Sequence, residues 1–143
     1  MAGAMPAPGL ALTMGSSHIA PHHMRKIESE MISAIANGKE WSKDNTMVCR
    51  NSMATTGPVV MSVYLHGNLI AEIIGGQIIK LIFGSSHHFS RTTFSRVNAI
   101  LRQWAKPGVG LYTKAHKPYL AGIASTGDVE LGVGDTWTCN LYR

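Results

Sequence analysis

Residues 59–83 read VVMSVYLHGNLIAEIIGGQIIKLIF, and the punctuation of this stretch decides the fold. Val59 to Leu65 is rich in β-branched and aromatic residues, which suit a pleated, half-buried surface. His66-Gly67-Asn68 can turn the chain, Leu69 to Ile74 can return as the partner strand, and Gly75-Gly76 offers a second tight turn built on positive φ angles. Gln77 to Phe83 then completes a three-stranded antiparallel meander. The segment Leu69–Phe83 is the most apolar run in the chain, but Glu72, Gly75, Gly76 and Lys80 interrupt its fifteen residues. A bilayer-crossing helix needs about 20, so no transmembrane segment and no membrane partner are expected.

Helical periodicity flanks the meander on both sides. Met24, Ile27, Met31, Ala34 and Ile35 recur at helical spacing, and Asn37-Gly38 can take the left-handed conformation that ends a helix, so a helix is expected over 23–37. A polar connection with Trp41 and Asp44-Asn45 leads to a short β-prone segment, Thr46–Arg50. Beyond the meander, Gly84–His88 reads as a loop. A second helix follows, capped by Thr92 or Thr93 and stopped by Pro107-Gly108, with Phe94, Val97, Ile100, Leu101 and Trp104 on one arc. Val109–Lys114 and Tyr119–Ile123 can pair as a hairpin around His116-Lys117-Pro118. The tail from Thr126 adds one or two strands, with Val129, Leu131 and Val133 alternating. The expected architecture is therefore α+β: an antiparallel sheet of about five or six strands, formed by the meander and the C-terminal hairpin, packed with two amphipathic helices on one face. A helix, a meander and a second basic helix also follow one another in the double-stranded RNA-binding domain, an analogy of element order alone.

The chain has 143 residues, 45% hydrophobic and 15% charged, which suits one packed domain and excludes a disordered or multidomain chain. Residues 23–143 are read as that domain. Residues 1–22 carry no charge and are read as a flexible or partner-ordered arm, or as a leader of the kind used for purification, since Met14-Gly15-Ser16-Ser17-His18 and His22-His23 resemble one. Cys49 and Cys139 are too few for a disulfide framework, which points to a reducing intracellular compartment.

Charge is distributed unevenly. The 13 Lys and Arg against 8 Asp and Glu give a net +5, but Ile73–Gly127 contains no acid at all while carrying Lys80, Arg91, Arg96, Arg102, Lys106, Lys114 and Lys117. Neutralising phosphates requires such a surface free of carboxylates. On a helical wheel Arg91, Arg102 and Lys106 fall within about 60° of one another at 100° per residue, with Arg96 further round and Asn98 and Gln103 as uncharged donors. Lys114 and Lys117 can extend the patch from the hairpin, and Tyr112, Tyr119 or Phe89 can stack on unpaired bases. The candidate nucleic-acid-binding residues are thus Arg91, Arg96, Arg102, Lys106, Lys114 and Lys117, with DNA, RNA or an acidic protein surface as partner.

No catalytic site assembles from the sequence. Glu28 and Glu30 are two residues apart on a helix and point to different sides, and neither a GxSxG elbow nor a GxxxxGK[ST] loop occurs. His66, His87, His88 and His116 lack the Cys/His spacing of a zinc site and read as loop residues, His66 bonding within its hairpin turn. Cys49 and Cys139 read as small buried groups. No catalytic residue, metal or cofactor is expected, and the oligomeric state is left open.

The order of Trp41, Asn45-Thr46-x-Val48, the motif VYLHGNxIA at Val63–Ala71 and the motif TTxxRxNAxL at Thr92–Leu101 resembles a group of small uncharacterised proteins of tailed bacteriophages, over roughly residues 24 to 123. The resemblance implies a viral origin and expression in the cytoplasm of a bacterial host. It carries over no catalytic residues, because the group has no agreed activity. The apolar N-terminal arm and the Gly-rich acidic tail depart from the pattern, and they point to a specialised role such as a virion component. Two functions follow from the sequence: a non-enzymatic accessory protein that contacts nucleic acid through its basic helix, or a capsid-associated protein or inhibitor that docks on a host protein.

Overall fold

The computed structural model describes residues 25–52 and 57–142; the N-terminal arm at 1–22 lies outside them. The first helix, α1, spans Lys26–Ala36 and buries Met31, Ile32 and Ile35 completely. It ends as its sequence requires: Gly38 takes φ 65°, its N–H donates to the Ile35 carbonyl, and Lys39 N–H donates back to Ala34. This crossed pair closes the orphan carbonyls of the last turn.

Strands β1 (Trp41–Lys43), β2 (Thr46–Ser52), β3 (Val59–Leu65), β4 (Asn68–Ile74) and β5 (Ile78–Phe83) follow as successive antiparallel neighbours. A 3-10 turn, Ser86–Phe89, leads into α2, Arg91–Trp104. Strands β6 (Gly110–Lys114), β7 (Lys117–Ala121) and β8 (Val129–Glu130) form a small sheet of their own, and β9 (Asp135–Asn140) returns to the first sheet. The architecture is α+β, with a six-stranded sheet in the order β1-β2-β3-β4-β5-β9 and a three-stranded one. No described helix is long and apolar enough to cross a membrane.

Three expectations need correction. The C-terminal hairpin does not extend the meander, because Asn98 of α2 grips its backbone: Leu111 N–H donates to Asn98 Oδ1 at 2.7 Å, and Asn98 Nδ2 donates to Leu111 O at 2.9 Å. The place beside β5 belongs to β9, with Cys139 opposite Ile79 and Trp137 opposite Leu81. Of the alternation expected in the tail, Leu131 is buried in the core but Val133 is 64% exposed, and the inward pattern continues at Trp137, Cys139 and Leu141. The connection at Trp41 is also a strand, turned back onto β2 by Asp44 and Asn45, both at positive φ.

Alternation along the strands gives the main sheet two unlike faces. Met61, Val63, Ile73, Ile79, Leu81 and Phe83 point to one face and join Met31, Ile35, Val97, Ile100 and Trp104 of the two helices in one core. On the other face stand Val60, Ser62 and Tyr64 of β3, Leu69, Glu72 and Ile74 of β4, and Ile78, Lys80 and Ile82 of β5. Val60 is buried yet stands outside the core cluster, and neither helix covers this side.

Candidate nucleic-acid interface

The cap of α2 is Ser90, two to three residues earlier than the threonines suggest: its Oγ accepts the Thr93 N–H at 3.1 Å. Thr93 is buried, and its hydroxyl donates to the His87 carbonyl at 3.2 Å. From this anchored start, Phe94, Val97, Ile100, Leu101 and Trp104 face the core. Arg91 is exposed and Arg102 half-buried on the outer side; Lys106, expected on the same helix face, is exposed but lies past the helix, which ends at Trp104 with Ala105 extended.

Arg96 does not belong to that surface. It is 5% exposed, its Nη1 pairs with Glu28 Oε2 of α1 at 2.8 Å, and its Nε donates to Thr46 Oγ1 at 3.1 Å. Ser95 Oγ also donates to Glu28. The guanidinium ties α1, β2 and α2 together and is closed to a ligand. Asn98, expected as a free donor, is likewise committed to the β6 backbone.

Outside the helix, Lys114 and Lys117 stand exposed at the tip of the β6–β7 hairpin, opposite one another in register. The turn is Ala115-His116, earlier than the expected His116-Lys117-Pro118, and both residues hold positive φ, 52° and 65°. Folding brings acids near cations that the sequence keeps apart. Lys117 lies 4.0 Å from Glu130, and Lys80 sits opposite Glu72 on the adjacent strand, away from the helices. The aromatic residues are occupied as well. Tyr112 and Tyr119 stack on each other at 5.4 Å, Tyr112 hydroxyl donates to Asp128 at 2.5 Å, and Phe89 stacks on Phe83 at 5.6 Å. The Asp128 bond, which favours the protonated hydroxyl, pushes Tyr112 up to about 12.

His88 is the polar residue the sequence undervalues. It is buried, its Nδ1 accepts the Ser85 N–H at 3.1 Å, and its Nε2 lies 2.9 Å from the Leu69 carbonyl. With Nδ1 accepting, Nε2 is the nitrogen that donates. The imidazole thus pins the 3-10 turn to β4. His66 bonds through its backbone, its N–H reaching Asn45 O at 2.8 Å and linking two neighbouring turns. A cleft of about 480 Å³ lies between these histidines and the start of α2, lined by His66, Asn68, His87 and Thr92 among others. A second, of about 360 Å³, lies at the end of α2, where Lys106 faces Cys139; burial pushes the Cys139 thiol up. No cluster of three metal-ligating side chains occurs among the described residues.

What remains of the predicted set is Arg91 and Arg102 on the outer side of α2, Lys106 just past its end, and Lys114 and Lys117 at the tip of the hairpin that Asn98 holds. The chain matches a family model described as Kyanoviridae Gp96 protein over residues 24–138. No curated protein and no solved structure matches it.

Proposed function

Because the chain belongs to the Kyanoviridae Gp96 protein family, and is a protein of tailed cyanophages, we propose that it is a non-enzymatic accessory protein that acts in the host cytoplasm and contacts nucleic acid through its phosphates. One arrangement supports this reading: Arg91 and Arg102 lie on one side of α2 and Lys106 follows just past its end, all outside every ion pair found among the described residues, with Lys114 and Lys117 exposed at the tip of the hairpin that Asn98 holds. Arg91 and Arg102 lie about 16 Å apart along the helix axis at 1.5 Å per residue, a length over which a duplex presents roughly ten phosphate charges. Base reading has little support, because Asn98, Tyr112, Tyr119 and Phe89 are already engaged.

The test is fluorescence anisotropy with single- and double-stranded DNA and RNA at about 50 mM salt, where a protein with several phosphate contacts binds readily. Five duplex contacts give a log–log salt slope near −4.5, at about −0.9 per contact. Arg91→Glu with Lys106→Glu abolishes binding while leaving the urea midpoint in place, since both side chains are exposed. Failure to bind any of the four nucleic acids at low salt overturns the reading.

A virion-structural role is the second reading, favoured by the largely apolar face of the main sheet that neither described helix covers. Detection of the protein in purified virions by mass spectrometry supports it, and complete absence from them excludes it.

A further inference from the structure

Among the described residues, neither helix covers the second face of the six-stranded sheet, which is apolar at both ends and charged in the middle. Val60, Ile74 and Ile78 form one cross-strand row, and Tyr64, Leu69 and Ile82 lie towards the other end. Between them runs the row Ser62, Glu72, Lys80, in which Glu72 and Lys80 are register partners on β4 and β5. Glu72 is oriented by the Ser62 hydroxyl, which donates to it at 3.5 Å and itself accepts from Asn51 Nδ2 at 3.1 Å. Neither Glu72 nor Lys80 takes part in an ion pair among the described residues.

We infer that this face is where a second copy of the chain docks, sheet against sheet, about a two-fold axis. An isologous contact needs a surface complementary to itself, and the register supplies one. A two-fold axis parallel to the strands and midway between β4 and β5 carries each Glu72 over the Lys80 of the other copy, at the same height along the strands. Packed sheets stand about 10 Å apart, a gap that a lysine and a glutamate reaching from opposite sides can span. The apolar rows at either end then meet one another, and the central charges are compensated twice by the same operation. Both helices of each copy remain on the outside of such a dimer.

Sedimentation of the full chain over a concentration series measures the association, with the 15.4 kDa monomer as reference. The wild type sediments as a dimer at high concentration. Glu72→Lys alone and Lys80→Glu alone each place like charges opposite one another at two symmetry-related points. Each juxtaposition disfavours association at least about tenfold, so each variant weakens it about a hundredfold or more. An equimolar mixture of the two variants restores the complementary pairs and dimerises again, which also shows that both are folded. The inference is overturned by a wild type that stays monomeric throughout. It is equally overturned by a dimer indifferent to both reversals, which would place the contact at a sheet edge, or by variants that weaken association without rescuing each other when mixed.

Discussion

Glu28 lies on the same side of α1 as Met31, Ile32 and Ile35, and Arg96 falls among the apolar positions of α2 beside Thr93, Val97 and Ile100. A charge on an apolar stripe is stable only if an opposite charge reaches it, because an unpaired buried ion costs several kcal/mol. The pairing was therefore legible: each charged residue breaks its helix's periodicity at one position, and the chain offers few partners. Counting Arg96 with the other cations of the acid-free block obscured it. Replacing Arg96 by Met alone leaves Glu28 buried without its partner and costs about 3–5 kcal/mol in urea unfolding, whereas adding Glu28→Leu recovers most of that loss. Single variants within 1 kcal/mol of wild type would contradict this account. Tyr112 gives a second test at this scale. Its hydroxyl ionises near 12 in the folded chain against 10.0 for a free tyrosine, so the folded state favours the protonated form. That contribution is complete below pH 10 and is lost as the pH rises from 10 to about 12. Ultraviolet titration shows one late-ionising tyrosine, and Asp128→Asn brings it back towards the others.

Among the elements, the strands of the meander were readable because composition and turn chemistry agree. β3 occupies Val59–Leu65 as expected, and the His66-Gly67 and Gly75-Gly76 turns hold the positive φ angles that glycine suggests. β1 was not readable: three residues without alternation become a strand only because Trp41 finds Val48 across the turn. The β6–β7 turn was misplaced for the opposite reason. Ala115 and His116 lack the residue types of a two-residue hairpin turn, yet both are held at positive φ. Each such residue costs about 1–2 kcal/mol. Ala115→Asn with His116→Gly supplies the Asn-Gly pair that this turn prefers and raises the thermal midpoint by a few degrees; an unchanged or lowered midpoint would show that the tip is not strained.

Over the whole molecule, the sequence conveyed the fold class but not which strands share a sheet, since strand neighbours far apart in the chain leave no local signature. The candidate site suffered from the same blindness. A block free of acids in sequence acquires Glu28 at Arg96 and Glu130 at Lys117 once the chain is folded, so linear charge counting overstated the surface field. The strand order also bears on synthesis. β5 is apolar except for Lys80 and leaves the ribosome roughly fifty residues before β9, which will cover its edge. Until then the nascent chain ends in an open, sticky strand, the kind of edge that recruits other chains. The tail thus serves as a built-in guard, and shortening it exposes β5 to aggregation before any loss of the core is felt.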